Sequence, residues 1–296
     1  MTTAAALLPS RAKTNGLAIR IAFAFPLLAL TIGSTAQAQS KNIFSNYEQR
    51  VKVTSAEQPA WPVPVVSPSS GIVQLVRFDF VRQYTSTHTL TENYDNGKGF
   101  NFIPFYRTEV DVNLPPLIEH NNPKVVDGAG DFSMLLKYRL AAGNDKHHNY
   151  AISAQLQGVG TTGSYKNGTV RNQINPTVIG GKGFGHFDVQ SSIGGVLPVG
   201  SIHTVGRSVV WNTVGQYKAT KLLWPEVEVN SVFYHLGPNN GKNQTFVTPG
   251  MMTSRIQLSQ EKDNRLAVIF GVGMQIATSS FHAYNHALVV TSRLTF

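Results

Sequence analysis

The chain has 296 residues, a formal net charge of +9 and no cysteine. Charged residues make up 14% of it, which is well below the roughly 25% of ordinary soluble domains. The lack of cysteine excludes a disulfide framework. No run of Lys and Arg is interleaved with aromatic residues, so the basic balance does not indicate a nucleic-acid partner.

The N-terminal residues up to Ala38 have the features of a bacterial secretory signal. The first 20 residues hold three basic side chains and no acidic one, and an apolar run follows over 21–32. That run is shorter than the roughly 20 residues that a membrane-spanning helix needs. Small residues lead to Ala38, where we predict cleavage during export. No later stretch is apolar enough to predict a membrane helix.

Residues 39–71 predict an irregular segment, because Pro59, Pro62, Pro64 and Pro68 fall close together. Proline lacks a backbone donor and favours extended, unpaired backbone. Two interpretations are open. The segment is either a periplasmic lead-in to the following domain or a stretch tucked into the mouth of a barrel.

From residue 72 onward the sequence alternates between strand-like stretches and turn signals such as Asp95-Asn-Gly97 and Gly180-Gly-Lys-Gly183. No stretch has capped helical periodicity, so we predict essentially no helix after the signal. Each stretch is close to the roughly 9–11 residues that a tilted strand needs to cross a bilayer. The eleven predicted strands are 72–83, 100–112, 130–140, 149–158, 170–180, 185–197, 207–218, 225–235, 246–258, 265–277 and 286–296.

The strands have one apolar and one polar face, which a soluble sandwich and a membrane barrel both show. Strand length, the export signal and a polar face carrying both charge signs favour the barrel. We therefore predict an all-β fold for 72–296, a transmembrane antiparallel up-and-down barrel of about 12 strands, with 10 as the alternative. Single-chain bacterial barrels have even strand numbers, so one strand is missing from the eleven, within 43–54 or 85–94.

The last eleven residues, 286–296, alternate apolar and polar side chains and end on Phe296. A strand that closes an outer-membrane barrel ends in this way, with its last aromatic residue at the membrane interface. We expect Phe296 to be the assembly signal. The predicted partners are outer-membrane lipid and, through this strand, the barrel-assembly machinery of the bacterial outer membrane. Counting back from the same strand, we expect the connection 278–285 to be external.

Asp127-Gly-Ala-Gly-Asp131, at the start of an alternating strand, resembles the strand opening of exported proteins grouped under the name "meta-pathway of phenol degradation". Trp224-Pro-Glu-Val-Glu-Val-Asn230, Val247-Thr-Pro-Gly250 and Gly271-Val-Gly-Met-Gln275 resemble later strands of that group. The resemblance covers about 72–296. It implies an outer-membrane barrel and a channel for small organic compounds, and it assigns no catalytic or binding residue.

Charged residues on the polar faces are the strongest functional signal, since a charge facing lipid costs about 2–4 kcal/mol near the midplane. Six basic and four acidic residues predict a lumen that selects small solutes, with a mild preference for anions. Neutral aromatic solutes would depend on inward apolar residues such as Ile103, Phe105 and Val210. The lumen-lining candidates are Arg107, Glu109, Asp111, Lys137, Arg139, Arg171, Glu226, Glu228, Arg255 and Arg293.

Two other functions stay open on the sequence. Ion pairs within this set could seal the lumen, which would leave a structural or binding barrel. An outer-membrane enzyme is the less favoured alternative, because no set of residues has the spacing of a catalytic or metal site. We therefore expect no enzyme activity, no cofactor and no metal.

Overall fold

The computed structural model of the chain describes residues 46–258 and 265–296. The predicted secretory signal and its cleavage site after Ala38 lie outside these residues. The described residues form sixteen strand segments that pair in one antiparallel sheet. Two α-helices and one 3-10 turn accompany the sheet: α1 (Tyr47–Ala56), α2 (Ile202–Val205) and Gly237–Asn239.

In chain order the strands are β1 (Leu75–Tyr84), β2 (Leu90–Tyr94), β3 (Gly99–Phe105), β4 (Thr108–Asn113), β5 (Leu117–His120), β6 (Gly128–Ala129), β7 (Ser133–Gly143), β8 (Tyr150–Val159), β9 (Gln173–Phe184), β10 (Phe187–Pro198), β11 (Arg207–Tyr217), β12 (Leu223–His235), β13 (Asn243–Thr253), β14 (Ile256–Gln257), β15 (Ala267–Ala277) and β16 (His286–Thr295).

The sixteen segments build twelve strands of a closed barrel, here called staves, each made of one or two segments. This confirms the predicted fold class and strand number. Four staves consist of two segments each, interrupted by a short break: β2 with β3, β4 with β5, β6 with β7, and β13 with β14. The first and last strands close the ring, because β1 and β16 pair from Leu75 opposite Thr295 to Tyr84 opposite His286. Closure leaves the sheet without a free edge.

The missing twelfth strand comes from two places in the sequence. One is the predicted range 85–94, which contains β2, and the other is the predicted strand 100–112, which contains both β3 and β4. Most of the other candidate range, 43–54, belongs to α1. The predicted strand 100–112 is wrong as a single strand. It contains a tight turn at Tyr106-Arg107, where Arg107 has a φ of 66°, so β3 and β4 are antiparallel neighbours.

The predicted turn at 180–183 is also wrong. Strand β9 continues through these glycines to Phe184, and the chain reverses at Gly185, which has a φ of 64°. Glycine is common in turns because it tolerates positive φ. It is also used inside a strand where another backbone or side chain comes close, and β9 uses Gly181 in this second way.

The two faces of the barrel wall differ in polarity. In β7, Met134, Leu136 and Tyr138 are exposed on the outer face, while Lys137 and Arg139 alternate with them and are buried inside. The same alternation holds in β12, where Val227 is exposed and its neighbours Glu226 and Glu228 are buried. The barrel therefore has an apolar exterior and a polar, charged interior. No described helix is long and apolar enough to cross a membrane.

The connections at the two ends of the barrel differ in length. At one end, here called the turn end, lie the connections 106–107, 144–149, 185–186 and 218–222. At the other, here called the loop end, lie 85–89, 121–127, 160–172, 199–206, 236–242 and 278–285. In the predicted orientation the turn end is periplasmic.

Asp131, in the motif that carries the family resemblance, ties the longest connection at the loop end to the wall. Its carboxylate accepts hydrogen bonds from the backbone N–H groups of Thr162, Gly163 and Thr169. Burial opposes ionisation of this carboxyl group, but the three donors outweigh it and hold the pKa of Asp131 below its usual range. The ionised carboxylate therefore organises residues 162–169.

We expect the order of this loop to depend on pH through Asp131. A lowered pKa in the folded state means that the stabilisation is present at neutral pH and is lost as pH falls through that lowered pKa. Hydrogen exchange at Gly163 and Thr169, corrected for intrinsic rates, should stay slow down to about pH 4 and accelerate below it. Asp131→Asn should exchange fast at every pH. Equal protection in both proteins at pH 7 would contradict this role.

The pairing of β16 with β1 supports an assembly role for Phe296, whose side chain is 40% exposed just beyond the last paired residue. Replacing it with Asp places a charge at the predicted interface anchor. The fraction of exported chain that reaches a membrane in heat-modifiable form should fall. Phe296→Tyr keeps an interfacial aromatic ring and should insert normally. Equal insertion of Phe296→Asp would contradict the role of the last residue.

Candidate functional site in the barrel lumen

The lumen of the barrel contains the chain's own residues 57–74, here called the inner segment, which join α1 to β1. Its Val65 and Ile72 have no exposed surface, and Val65 packs against Trp224, Ile269 and other inward residues. Sequence analysis assigned 39–71 to a periplasmic lead-in, with the barrel mouth as the alternative. In the structure most residues of 58–71 are buried inside the wall, whereas Glu57 and Ala60 are exposed.

An irregular segment in a closed barrel raises a hydrogen-bonding problem, because each buried backbone N–H and C=O needs a partner. The backbone groups of the wall are mostly paired between neighbouring strands and offer few partners. Pro59, Pro62, Pro64 and Pro68 have no N–H group, which reduces the number of donors to be satisfied. Inward-facing side chains of the wall supply partners for most of the rest.

Two glutamates of β12 hold the N–H groups of three consecutive residues. Glu226 accepts from Val65 at 2.9 Å, and Glu228 accepts from Val66 at 2.7 Å and Ser67 at 2.6 Å. Both carboxylates are buried, and they lie on one face of the same strand. Hydrogen bonds to charged groups contribute about 1.5–3 kcal/mol each, so these contacts fix this part of the inner segment.

Two arginines on the paired strands β1 and β16 hold the carbonyl groups of the residues just before these N–H groups. Arg293 of β16 donates to Val63 and Pro64, and Arg77 of β1 donates to Val65 at 2.6 Å. These arginines are direct cross-strand neighbours, an arrangement that is unfavourable for like charges. The carbonyl oxygens, together with Asp79 at 2.7 Å from Arg77, compensate for it.

A third anchor lies on β4 and β7. Lys137 and Glu109 form a buried ion pair at 2.8 Å. Lys137 also donates to the carbonyl of Gly71 at 3.2 Å, and Glu109 accepts the N–H of Val73. The pair therefore uses its remaining hydrogen-bonding capacity on the inner segment, as a buried pair must if it is not to destabilise the fold.

Arg139 serves the helix rather than a solute path. It donates to the carbonyl of Thr54 at 2.6 Å, near the C-terminus of α1, and pairs with Glu57 at 2.6 Å. Asn144 donates to the carbonyl of Ala56 at 2.9 Å. A cation at a helix C-terminus satisfies free carbonyls and interacts favourably with the helix dipole. This contact holds α1 at the turn end.

Gly181 creates room for the inner segment at the wall. A side-chain carbon added at this position would lie 2.6 Å from the ring of Trp61 and 2.7 Å from Ser70 Oγ. Ser70 is further held by Gln190, which accepts from its backbone N–H at 2.9 Å. The adjacent Gly180 faces outward, and nothing lies within 4 Å of the corresponding position there.

The ten predicted lumen residues divide into two groups. Glu109, Asp111, Lys137, Arg139, Glu226, Glu228 and Arg293 are buried on the inner face. Arg107, Arg171 and Arg255 are exposed in connections or strand breaks, because β4, β9 and β13 do not extend as far as the sequence pattern predicted. Arg255 nevertheless lines a cavity inside the barrel, as predicted. Of the apolar residues predicted to line a path, Val210 faces the lumen and Ile103 is buried, whereas Phe105 is exposed.

The predicted set omitted four charged residues on the inner side of the wall: Arg77, Asp79, Lys98 and Asp188. The first two alternate with Phe78 and Phe80 in β1, so the period-2 rule was sufficient to find them. Lys98 lies in the break between β2 and β3, which had been interpreted as a turn outside the wall. Within the described residues no group of three His, Asp or Glu side chains could hold a metal ion.

Cavities inside the barrel lie on both sides of the inner segment. The cavity toward the loop end has a volume of about 280 Å³ and a polar lining that includes Lys98, Asp111 and Lys137. The cavity toward the turn end has about 320 Å³ and is lined by Trp61, Trp224 and other residues. Among the described lining residues, only Val63 and Val73 border both cavities.

Comparison with known proteins gives weak likenesses only. No protein-family model matches the chain, and no curated protein matches it in sequence. The NanC porin shares 6% identity over 74% of this chain and 100% of that one, with a TM-score of 0.47. The OmpT of Vibrio cholerae shares 10% over 75% and 77%, with a TM-score of 0.36. A porin refined at 1.8 Å resolution shares 7% over 75% and 100%, with a TM-score of 0.34.

The resemblance to the phenol meta-pathway group therefore has no support from a family model. The matched structures assign no function to this chain.

We expect a side chain at Gly181 to displace the inner segment. Gly181→Leu must push Trp61 and Ser70 away from the wall, and such overpacking typically costs about 1–3 kcal/mol. Residues 57–74 should become accessible to protease in the detergent-solubilised barrel, while the barrel keeps its β-rich circular dichroism. Gly180→Leu adds the same side chain to the outer face and is the matched control. Equal protection of both variants would show that Gly181 does not position the segment.

Proposed function

We propose that the chain is an outer-membrane β-barrel channel for small solutes, and that the inner segment forms its constriction. The apolar exterior supports a location in a membrane, because a wall with exposed Leu136, Val178 and Phe270 would be poorly soluble in water. Single strand segments such as β7 and β12 have 11 and 13 residues, which is enough to cross a bilayer when tilted. Outer-membrane lipid and the assembly machinery are the partners that this location requires.

The two stacked cavities are the observation that carries the proposal. A structural barrel gains nothing from keeping open space on both sides of its filling. Here only the half-buried side chains of Val63 and Val73 border both spaces. Hydrophobic constrictions of this kind regulate passage in channels by excluding water. The two valines are therefore part of the partition between the two spaces.

The charges of the lumen have a different role from the one that the sequence suggested. Glu226, Glu228 and Arg293 hold the inner segment, and Arg139 holds α1. They therefore set the width of the path and its stability more than its selectivity. An anion preference, or passage of neutral aromatic solutes, stays a prediction. It depends on the lumen side chains that do not hold the inner segment or α1.

The dense grip on the inner segment also favours a second candidate, a sealed barrel that conducts nothing. Backbone groups on both sides of Pro64 are held by buried charged side chains, and opening would have to break several of these contacts. The two candidates differ in one observable, which is conductance.

We expect Val63→Ala with Val73→Ala to raise the single-channel conductance of the purified chain in planar bilayers. The shorter side chains widen the constriction and weaken its exclusion of water. Val76→Ala with Val290→Ala makes the same change on the outer face and should leave the conductance at the wild-type value. Fractionation of the expressed chain should place the wild type and both double variants in the membrane.

Glu228→Gln gives an independent measurement. It keeps the shape of the side chain but removes the charge that holds two N–H groups, so the inner segment should loosen and opening events should become more frequent. Glu92→Gln is the matched control. Glu92 lies near the loop end and pairs with Arg82 rather than with the inner segment, so this change should have no effect on opening. Absence of conductance in the wild type and in every variant would leave the sealed barrel as the better account.

A further inference from the structure

The cavity at the loop end holds two charged side chains that the fold leaves without partners. Five charged residues line it: Arg77, Lys98, Glu109, Asp111 and Lys137. Arg77 is paired with Asp79 at 2.7 Å, and Glu109 is paired with Lys137 at 2.8 Å. Among the described residues, Lys98 and Asp111 have no ion-pair partner within 4.0 Å. One positive and one negative group of the lining therefore lack a contact ion pair.

Asp111 is the less expected of the two, because it is only 7% exposed and its Oδ1 atom accepts no hydrogen bond in the described structure. A buried carboxylate oxygen without a donor is costly. Lys137, which lies on the adjoining strand β7, is engaged with Glu109 and Gly71 and does not pair with Asp111. The empty acceptor lies at the wall of a cavity of about 280 Å³, which suggests that a donor comes from a molecule inside it.

Lys98 approaches the same space from the neighbouring stave. Its ammonium group has no hydrogen-bond acceptor among the described residues, while its backbone carbonyl accepts from Leu114 at 3.0 Å and so fixes its position. In the paired strands Asp111 lies opposite Asn101, three residues from Lys98, or about 10 Å along a strand. No salt bridge within 4.0 Å joins the Lys98 ammonium to the Asp111 carboxylate, so a small molecule can lie between the two groups.

We propose that this cavity is a binding site for a small zwitterion of the α-amino acid type. Its carboxylate pairs with the Lys98 ammonium, and its ammonium donates to the Asp111 carboxylate. Asn113, Gln157 and Asn212 in the lining provide further hydrogen-bonding groups for a polar solute. This inference names the substrate class of the proposed channel and so rests on that function.

The charge pattern distinguishes this solute class from the alternatives. A lone anion would satisfy Lys98 but leave Asp111 uncompensated and repelled, and a lone cation would do the reverse. A neutral solute would leave two buried charges unpaired, and sites built around unpaired polar groups reject ligands that do not satisfy them. A molecule that carries both charges a few ångströms apart satisfies both at once.

The test is calorimetric titration of the detergent-solubilised full chain with L-alanine and three analogues. Propionate lacks the ammonium group, ethylamine lacks the carboxylate, and propionamide has no charge. We expect L-alanine to bind tighter than each analogue by about tenfold or more, since each omits at least one charge-assisted contact. This comparison uses the wild-type protein and needs no variant to fold.

Two variants then assign the contacts. Lys98→Met should remove the advantage of L-alanine over ethylamine, and Asp111→Asn should remove its advantage over propionate. Lys124→Met and Asp145→Asn make the same changes at exposed positions in the connections and should leave binding unchanged. Heat-modifiable mobility identifies the variants that retain the barrel.

The outcomes separate this inference from the proposed function. Propionamide binding as tightly as L-alanine would overturn the zwitterion site. So would absence of L-alanine binding in a preparation that conducts ions in planar bilayers, and the channel would then stand without this substrate. Binding by a preparation that never conducts would keep the site and overturn the channel.

Discussion

The structure depends on one constraint, which is that the backbone of the inner segment must find its hydrogen-bond partners inside a wall whose own backbone is mostly paired. Pro59, Pro62, Pro64 and Pro68 reduce the demand, since they have no N–H group to satisfy. Side chains meet most of the rest, with Glu226 and Glu228 as acceptors and Arg77 and Arg293 as donors. The proline content of the segment and the charge content of the wall are therefore two parts of one solution.

This arrangement also explains why a low-charge protein places so many of its charges inside. A buried ion without partners is costly, and Arg77 lies directly opposite Arg293 while Glu226 and Glu228 share one face of β12. Each like-charged pair would repel across a short distance in an empty barrel. The peptide groups of Val63 to Ser67 lie between the two pairs, with carbonyl groups toward the arginines and N–H groups toward the glutamates. The charged side chains of the wall and the peptide groups of the inner segment therefore stabilise each other, and each would be less stable without the other.

The filling of the lumen is incomplete, and the part left open differs in chemistry at the two ends. Toward the turn end the space is lined by aromatic and proline side chains, including Trp61 and Trp224. Toward the loop end it is lined by amides and by the two charges that have no partner, Lys98 and Asp111. Val63 and Val73 border both spaces, so the inner segment controls both the position of the charges and the continuity of the path.

The sequence by itself determined the barrel. Alternation with period 2 is a local property of each strand, so it predicted the closed all-β fold, the inward register of residues such as Lys137 and Glu228, and the strand at 286–296 that pairs with β1. It did not predict that β9 continues through Gly181, that 100–112 contains a turn, or that 47–56 is a helix. These outcomes depend on contacts between residues far apart in the chain. Val65 meets Glu226 across 161 residues, and Gly181 is adapted to Trp61. Only the tertiary structure decided that the charged lumen holds the protein's own backbone, because hydrogen bonds to a main chain leave no periodic pattern in the residues that accept or donate them.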